Sequence, residues 1–307
     1  MFPSISGSNQ AFLANLDATQ LQMQQAQAEI SSGLRVQQAS DDPPEIAEIL
    51  QLQGDISQNQ QLQSNLNGVS SDLSTADSAL QTAVQAVENA TSLGAEGANA
   101  TATADQRTNL AQQVSGILQT LVDIANTNIN GRYIFSGDLD TQPSYQYDPT
   151  QPTGVDQLIS PTDTEVVVDA SGTSISVSRT AQEIFDAQDS SGAPATGNVF
   201  AAVNSLVTAL QNNDQAGISQ AVISLQSADQ YLNDQLAFYG QAETGISSAL
   251  TVAQQFQTED ASNLSQLRDA DVASVAVELN QEQVQNQAAL SAESTILQQR
   301  DLFSYLG

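Results

Sequence analysis

Leu66, Val69, Leu73, Ala76, Leu80, Val84 and Val87 recur three or four residues apart, with mostly uncharged polar residues between them. That period places them on one face of an α-helix. Uninterrupted from Pro43 to about Leu93, such a helix would be on the order of 75 Å long at 1.5 Å per residue. A helix of that length suits a bundle or a fibre subunit better than a compact domain. Its start is written as "SDDPPE". Asp42 takes the N-cap place, and Pro43 and Pro44 fall in the first turn, where their missing donors matter least. Glu45 has the spacing of a capping box. Asp42 is also held extended by the proline that follows it.

Upstream, Leu13, Leu16, Met23 and Ile30 mark one side of a separate helix ending near Ser32 and Gly33, and "GLRVQQAS" reads as a connector. Downstream, Thr103 and Gln106 have capping-box spacing before a helix that carries Leu110, Val114, Ile117, Leu121 and Ile124. This third helix is expected to run to Asn130-Gly131, with Gly131 as a left-handed cap.

From there the pattern changes. Prolines 143, 149, 152 and 161, the tyrosines of "SYQYDP", and the alternating runs "TEVVVDA" and "TSISVSR" read as short strands, the last two joined at Ser171-Gly172. "QDSSGAPATGN" closes the segment as a loop. Helical spacing returns at Val199, restarts after Asn212-Asn213-Asp214, and ends in an arm with Val272, Val275, Leu279, Leu290 and Leu297. An apolar tail, "DLFSYLG", adds Leu302, Phe303 and Leu306. Between Leu279 and Leu290 the places that should be apolar hold Glu282, Gln283 and Asn286, so this arm is expected to be marginal alone and to need partners.

The expected fold is therefore mainly α, with long antiparallel helices from both termini and a small β-rich insertion. Residues 1–42 with 265–307 would form a terminal coiled-coil domain. Residues 43–137 with 196–264 would form a helical rod, and 138–195 the inserted outer domain.

At 307 residues the chain has length for about two domains. Asp and Glu number 35 against six basic residues, all of them Arg, for a net charge of −29. That balance excludes nucleic acid and anionic membranes as partners, since both are bound through clustered cations. The chain contains no Cys, His or Trp. Thiol nucleophiles, disulfides, the usual zinc ligand sets and the neutral-pH general base of most hydrolases are thereby removed. "MFPSISGSNQAFLANL" does not read as a cleavable secretory signal, and no apolar run approaches the roughly 20 residues of a membrane helix.

Candidate chemistry is thin. Asp41 with Asp42 is explained by the helix start, and Asp269 with Asp271 lacks a third ligand at a sensible spacing. Asp138, Asp140 and Asp148 share a loop without the central Gly and terminal Glu of a calcium loop. No phosphate-binding Gly-rich loop and no nucleophile elbow occur. The residues point to no catalytic centre, cofactor or metal.

Three stretches carry a resemblance: "SSGLRVQQASDDPPEIAEI", "NINGRYIFSGDLDTQPSY" and "LRDADVASVAVELNQEQVQNQAALSAESTILQQRDLFSYLG". Together with paired terminal helices around a β insertion, they resemble the bacterial flagellin family, over roughly residues 5–140 and 200–307. Within it, "GRYIFSG", Asp41-Asp42-Pro43 and the ending Ser304-Tyr305-Leu306 resemble the hook-filament junction branch more than filament flagellins. Pro44 and the absence of Lys depart from that pattern.

The resemblance implies a secreted, non-enzymatic part of the flagellum, exported by the flagellar type III apparatus. It implies a ring of copies between hook-associated protein 1 and flagellin, and an export chaperone for the C-terminal helix. A flagellin that forms the filament itself is the alternative. Leu13, Leu16, Met23, Ile30, Val275, Leu279, Leu290, Leu297, Leu302 and Leu306 are then the candidate assembly positions. Asp42, Pro43, Gly131, Arg132, Tyr133, Phe135 and Gly137 are the candidate caps and hinge. Arg132 is expected to pair with a carboxylate, and "RYIF" to be a short strand leaving the helices.

Overall fold

A computed structural model describes the backbone of residues 5–162 and 164–304 and the side chains of residues 10–162 and 164–295. Among the described residues the chain divides into two compact units, Met1–Gln58 with Phe256–Gly307, and Asn59–Gln255. Two helices of 55 and 54 residues, α2 (Pro43–Gly97) and α6 (Gln215–Arg268), contribute residues to both.

The first unit holds α1 (Ile5–Ser32), the start of α2, the end of α6, and α7 (Val272–Ser304). Helices α1 and α7 pack on each other. They run antiparallel because the connectors that follow α1 and precede α7 pair antiparallel, at Leu34 and Asp269. The accompanying small apolar cluster contains Val36, Ile49 and Leu264, with Ile46, Leu52, Ile56 and Leu267 against it.

The second unit has the large core. Thr103 caps α3 (Ala104–Ala125) through both bonds of the expected capping box: Gln106 N–H donates to its hydroxyl, and Thr103 N–H to the Gln106 side chain. Asn198 caps α5 (Val199–Gln211) by accepting from Ala201 N–H at 2.8 Å. At the end of α2 the buried Arg107 donates to the carbonyls of Gly97 (2.8 Å) and Asn99 (3.2 Å) and to Asn213 Oδ1 (2.5 Å). A cation at a helix C-terminus satisfies carbonyls that have no intrahelical donor and opposes the helix dipole. Helix α2 also comes close to α5 here. A Cβ on Gly97 would lie 2.4 Å from Leu210 Cδ2.

Two sequence expectations change. Helix α3 ends at Ala125, before Asn130-Gly131. The Asn126 side chain instead binds the following segment, donating to Tyr145 O (2.7 Å) and accepting from Ser144 and Tyr145 N–H. Such side-chain bonding competes with continued helix. Asn130 and Gly131, at φ 52° and 90°, are the turn of a two-residue hairpin joining β1 (Asn128–Ile129) to β2 (Arg132–Tyr133). Positive φ at both turn positions is what an Asn-Gly hairpin provides. Gly131 is thus a hairpin residue and not a helix cap.

The second change concerns residues 138–195. They contain a 3-10 turn (Gly137–Leu139 at its start), two antiparallel pairs and a short helix, α4 (Ala181–Phe185). The pairs are β3 (Tyr145–Tyr147) with β4 (Val155–Gln157), and β5 (Val166–Val168) with β6 (Ser174–Ser176). The β5–β6 pair is the hairpin expected around Ser171-Gly172. These pieces do not build a core of their own. Tyr145, Val155, Val177, Ile184 and Phe185 are buried in one cluster with residues of α2, α3, α5 and α6.

Aromatic rings are the centre of that cluster. Phe135 meets Phe185 and Tyr239 edge-on, each at 6.2 Å, while Phe200 stacks on Phe185 at 5.7 Å and tilts against Tyr145 at 5.1 Å. Five separate elements or loops supply these five rings, so the insertion and the helices are welded by burial.

Candidate assembly surfaces

Gly33, at φ 73°, stops α1, and the connector behind it pairs with the one behind α6. Arg35 N–H and Val36 N–H donate to Arg268 O at 2.7 and 3.2 Å, and Ala270 N–H donates to Gly33 O at 2.9 Å. The Arg35 guanidinium gathers the neighbours: it donates to Asp42 Oδ2 (2.8 Å), to Glu45 Oε2, and to Leu267 O (2.5 Å). These bonds, Asp42 first and Glu45 second, push the Arg35 pKa up further. The two acids assigned to a capping box therefore give their carboxylates to Arg35. Asp42 still precedes α2, its carbonyl accepting from Glu45 and Ile46 N–H, and Pro43 is the first helical residue.

The remaining candidate acids serve neighbouring backbone and side-chain donors. Asp41 accepts from Gln38 and Gln37 N–H, which holds its carboxyl below the usual range. Asp269 is lowered by the Ser265 hydroxyl and then by Arg268, and Asp271 accepts from Ala273 and Ser274 N–H at the start of α7. Asp138 accepts from Thr162, Asp140 from Arg132, and Asp148 from Thr150. The loop acids are thus turned to three different partners. Among the described residues no three of His, Cys, Asp and Glu come together as a metal could use them.

Along α1 the less exposed residues are Phe12, Leu16, Thr19, Met23, Ala26 and Ile30, with Glu29 beside the last of them; along α7 they are Val275, Leu279, Glu282, Asn286, Ala289 and Glu293. Both series alternate steps of four and three, the heptad spacing of a coiled-coil seam. Of the candidate assembly positions, Leu16, Met23, Ile30, Val275 and Leu279 lie on these inward faces. Leu13 and Leu290 do not: they are 54% and 49% exposed. Leu21, Val277 and Val284 are exposed as well, at 66%, 59% and 65%. Val277 and Val284 sit two turns apart beside a shallow depression lined also by Asn280, Gln281 and Gln285. Leu297 and Leu302 belong to α7, with side chains outside the description, and Leu306 lies outside the described residues.

In the second unit Arg132, half exposed, donates through Nε to Asp140 at 2.9 Å and stands 3.7 Å from Asp72 on α2 and 3.8 Å from Glu165 before β5. An exposed pair of this kind is worth at most about 1 kcal/mol. Its effect is to orient the hairpin. Tyr133 is part-buried, Phe135 is fully buried in the aromatic cluster, and Gly137 opens the 3-10 turn at φ 54°.

Sequence reading missed Asp186, which is 5% exposed and accepts from Asn198 Nδ2 (2.8 Å) and the Tyr145 hydroxyl (3.1 Å). Burial, and then the Asp186 charge, drives the Tyr145 pKa far up, so its hydroxyl stays a donor. No local pattern marks this group, because Tyr145 and Asn198 come from two other stretches of the chain.

Residues 5–140 match the bacterial flagellin N-terminal helical region. No curated protein sequence matches the chain. Among solved structures, a candidate flagellar hook-associated protein from Vibrio parahaemolyticus superposes with a TM-score of 0.64 at 18% identity, covering 75% of this chain and all of that one. Flagellar hook associated protein-3 from Legionella pneumophila gives 0.61 at 14% identity, covering 71% of this chain and 98% of the other. The flagellar junction protein FlgL from Legionella pneumophila gives 0.54 at 13% identity, over 66% of this chain and 99% of that one. The chain has their fold. Among the described residues no helix is long and apolar enough to cross a membrane.

Proposed function

Starting from a chain whose residues 5–140 carry a flagellin N-terminal helical region, we propose that it is a structural, non-enzymatic subunit of the bacterial flagellum, the adaptor between hook and filament. The observation that carries this reading is that flagellin-type N-terminus combined with a fold shared over nearly the whole length of hook-associated and junction proteins. Its copies form a short ring, with hook-associated protein 1 on the hook side and flagellin on the other. A flagellar chaperone holds the C-terminal helix during type III export to the cell exterior. The α1·α7 pair supports an assembling role, because Leu13, Leu21, Val277, Val284 and Leu290 leave apolar surface for a neighbour to cover. Covering it removes about 25 cal/mol of cost per Å².

The same N-terminal match fits the second reading, a flagellin forming the filament itself. Copy number separates the two. Immunogold label on native flagella is expected at one point beside the hook, and a deletion strain is expected to keep hooks, lose filaments and release flagellin into the medium. Label along the filament would establish the second reading instead.

A further inference from the structure

The α1·α7 seam is interrupted at its middle, and the interruption is buried. Glu282 Oε2 and Asn286 Nδ2 are out of contact with solvent and have no hydrogen-bond partner. They lie one helical turn apart on the inward face of α7, between Leu279 and Ala289. Counted outward from the Leu34–Asp269 bridge, they come level with the turn of α1 around Thr19. Thr19 is the polar break in an inward series otherwise made of Phe12, Leu16, Met23, Ala26 and Ile30, and its hydroxyl already donates to Asn15 O.

We propose that Glu282 and Asn286 are the specificity determinants of the α1·α7 pair. They fix its register and its partner by confining polar groups to the one level where both helices are polar, at a cost in stability. A shift of one heptad would bring them level with Phe12, among apolar side chains, or with Ala26, among apolar side chains and the like-charged, part-buried Glu29. Burying unsatisfied polar groups among apolar atoms is expensive, and a polar residue at a seam position selects register and oligomer state on that principle. Such a device has something to select against here. Val277 and Val284 offer α7 a second apolar stripe, and Leu13 and Leu21 are exposed on α1. A seam filled with leucine would hold more tightly and discriminate less. This inference concerns the pairing inside one chain and does not depend on the flagellar reading.

The test is the full chain carrying Glu282→Leu and Asn286→Leu together, with Glu282→Leu alone as the milder variant. Hydrogen exchange reads the pairing, and analytical ultracentrifugation reads association. In the double variant, amide protection across the paired parts of α1 and α7 is expected to rise roughly tenfold, since apolar groups replace buried polar ones. Sedimentation is expected to change from one species to several. The single variant is expected to gain less protection and remain one species. Protection of α3 and α5 amides should not move in either, which reports that the second unit is folded. Lower or unchanged protection of α1 and α7, a double variant that stays a single species, or failure of both variants to fold would each overturn the proposal.

Discussion

The aromatic cluster of the second unit and the α1·α7 seam of the first are built from the same polypeptide in opposite ways. In the cluster, Phe135, Phe185, Phe200, Tyr145 and Tyr239 are each almost completely buried, and the polar groups beside them, Asp186, Asn198 and the Tyr145 hydroxyl, are mutually hydrogen-bonded. In the seam, one side of each helix is only partly covered, Leu13, Val277, Val284 and Leu290 face outward, and two polar atoms are buried without partners. The first arrangement is complete within one chain. The second gains its stability from pairing and leaves apolar surface over. The proposed role, a subunit stable alone that still adheres to copies, would need both, and separating them would let assembly change one without melting the other.

That contrast is easiest to break at the cluster. Phe135→Ala removes a fully buried ring with two edge-on partners and is expected to cost about 3–5 kcal/mol. Calorimetry should show the main unfolding transition lowered, and an unchanged transition would mean that the rings do not hold this unit together.

Leu279 and Leu290 sharpen the comparison within the seam. Leu279→Asp places a charge on the inward face and should cost the α1·α7 pairing on the order of 3 kcal/mol. Hydrogen exchange is expected to accelerate in α1 and α7 and to stay unchanged in α3. Leu290→Asp, at an exposed site, should shift monomer stability by no more than about 0.5 kcal/mol yet weaken the proposed ring. Equal loss in both would erase the distinction between inward and outward faces.

A pH-dependent effect belongs to Asp229 on α6. Burial, and secondarily the charge of Glu88, raises its pKa, and its Oδ1 is buried without a partner. A carboxyl raised in the folded state stabilises the protein below the unfolded value, about 3.9, and that contribution is lost as pH rises through the folded value. Asp229→Asn should therefore be nearly neutral around pH 4 and stabilise by about 1 kcal/mol at pH 7. Thermal unfolding of parent and variant at the two pH values measures the difference, which should vanish if Asp229 is solvated.

Much of the architecture could be read without coordinates. The stripe of Leu66 to Val87, the Thr103 capping box, the Ser171-Gly172 hairpin and the break at Asn212-Asn213-Asp214 all recur in the fold, because each is decided by residues within a few positions of one another. The end of α3 was not legible. Asn130-Gly131 serves a helix cap or a hairpin turn equally well, and the choice fell to Asn126, which binds a segment that arrives 18 residues later. The separateness of residues 138–195 also misled, since a change of local pattern marks a change of secondary structure and carries no information about whose core the new elements join.

On its own, the sequence determined the helices, their period, the Thr103 capping box, the acidic surface and the lack of Cys and His. Tertiary structure decided which apolar residues are inside: Leu279 turned to α1 and Leu290 to solvent, Phe135 in a shared core, Arg132 drawn to acids from three stretches and Arg35 to the distant Leu267 carbonyl as well as to Asp42 and Glu45. The reason is physical. Periodicity states which side chains share a face and is set by backbone geometry, whereas burial depends on what packs against that face, which in this chain comes from more than two hundred residues away, as with Leu34 and Asp269.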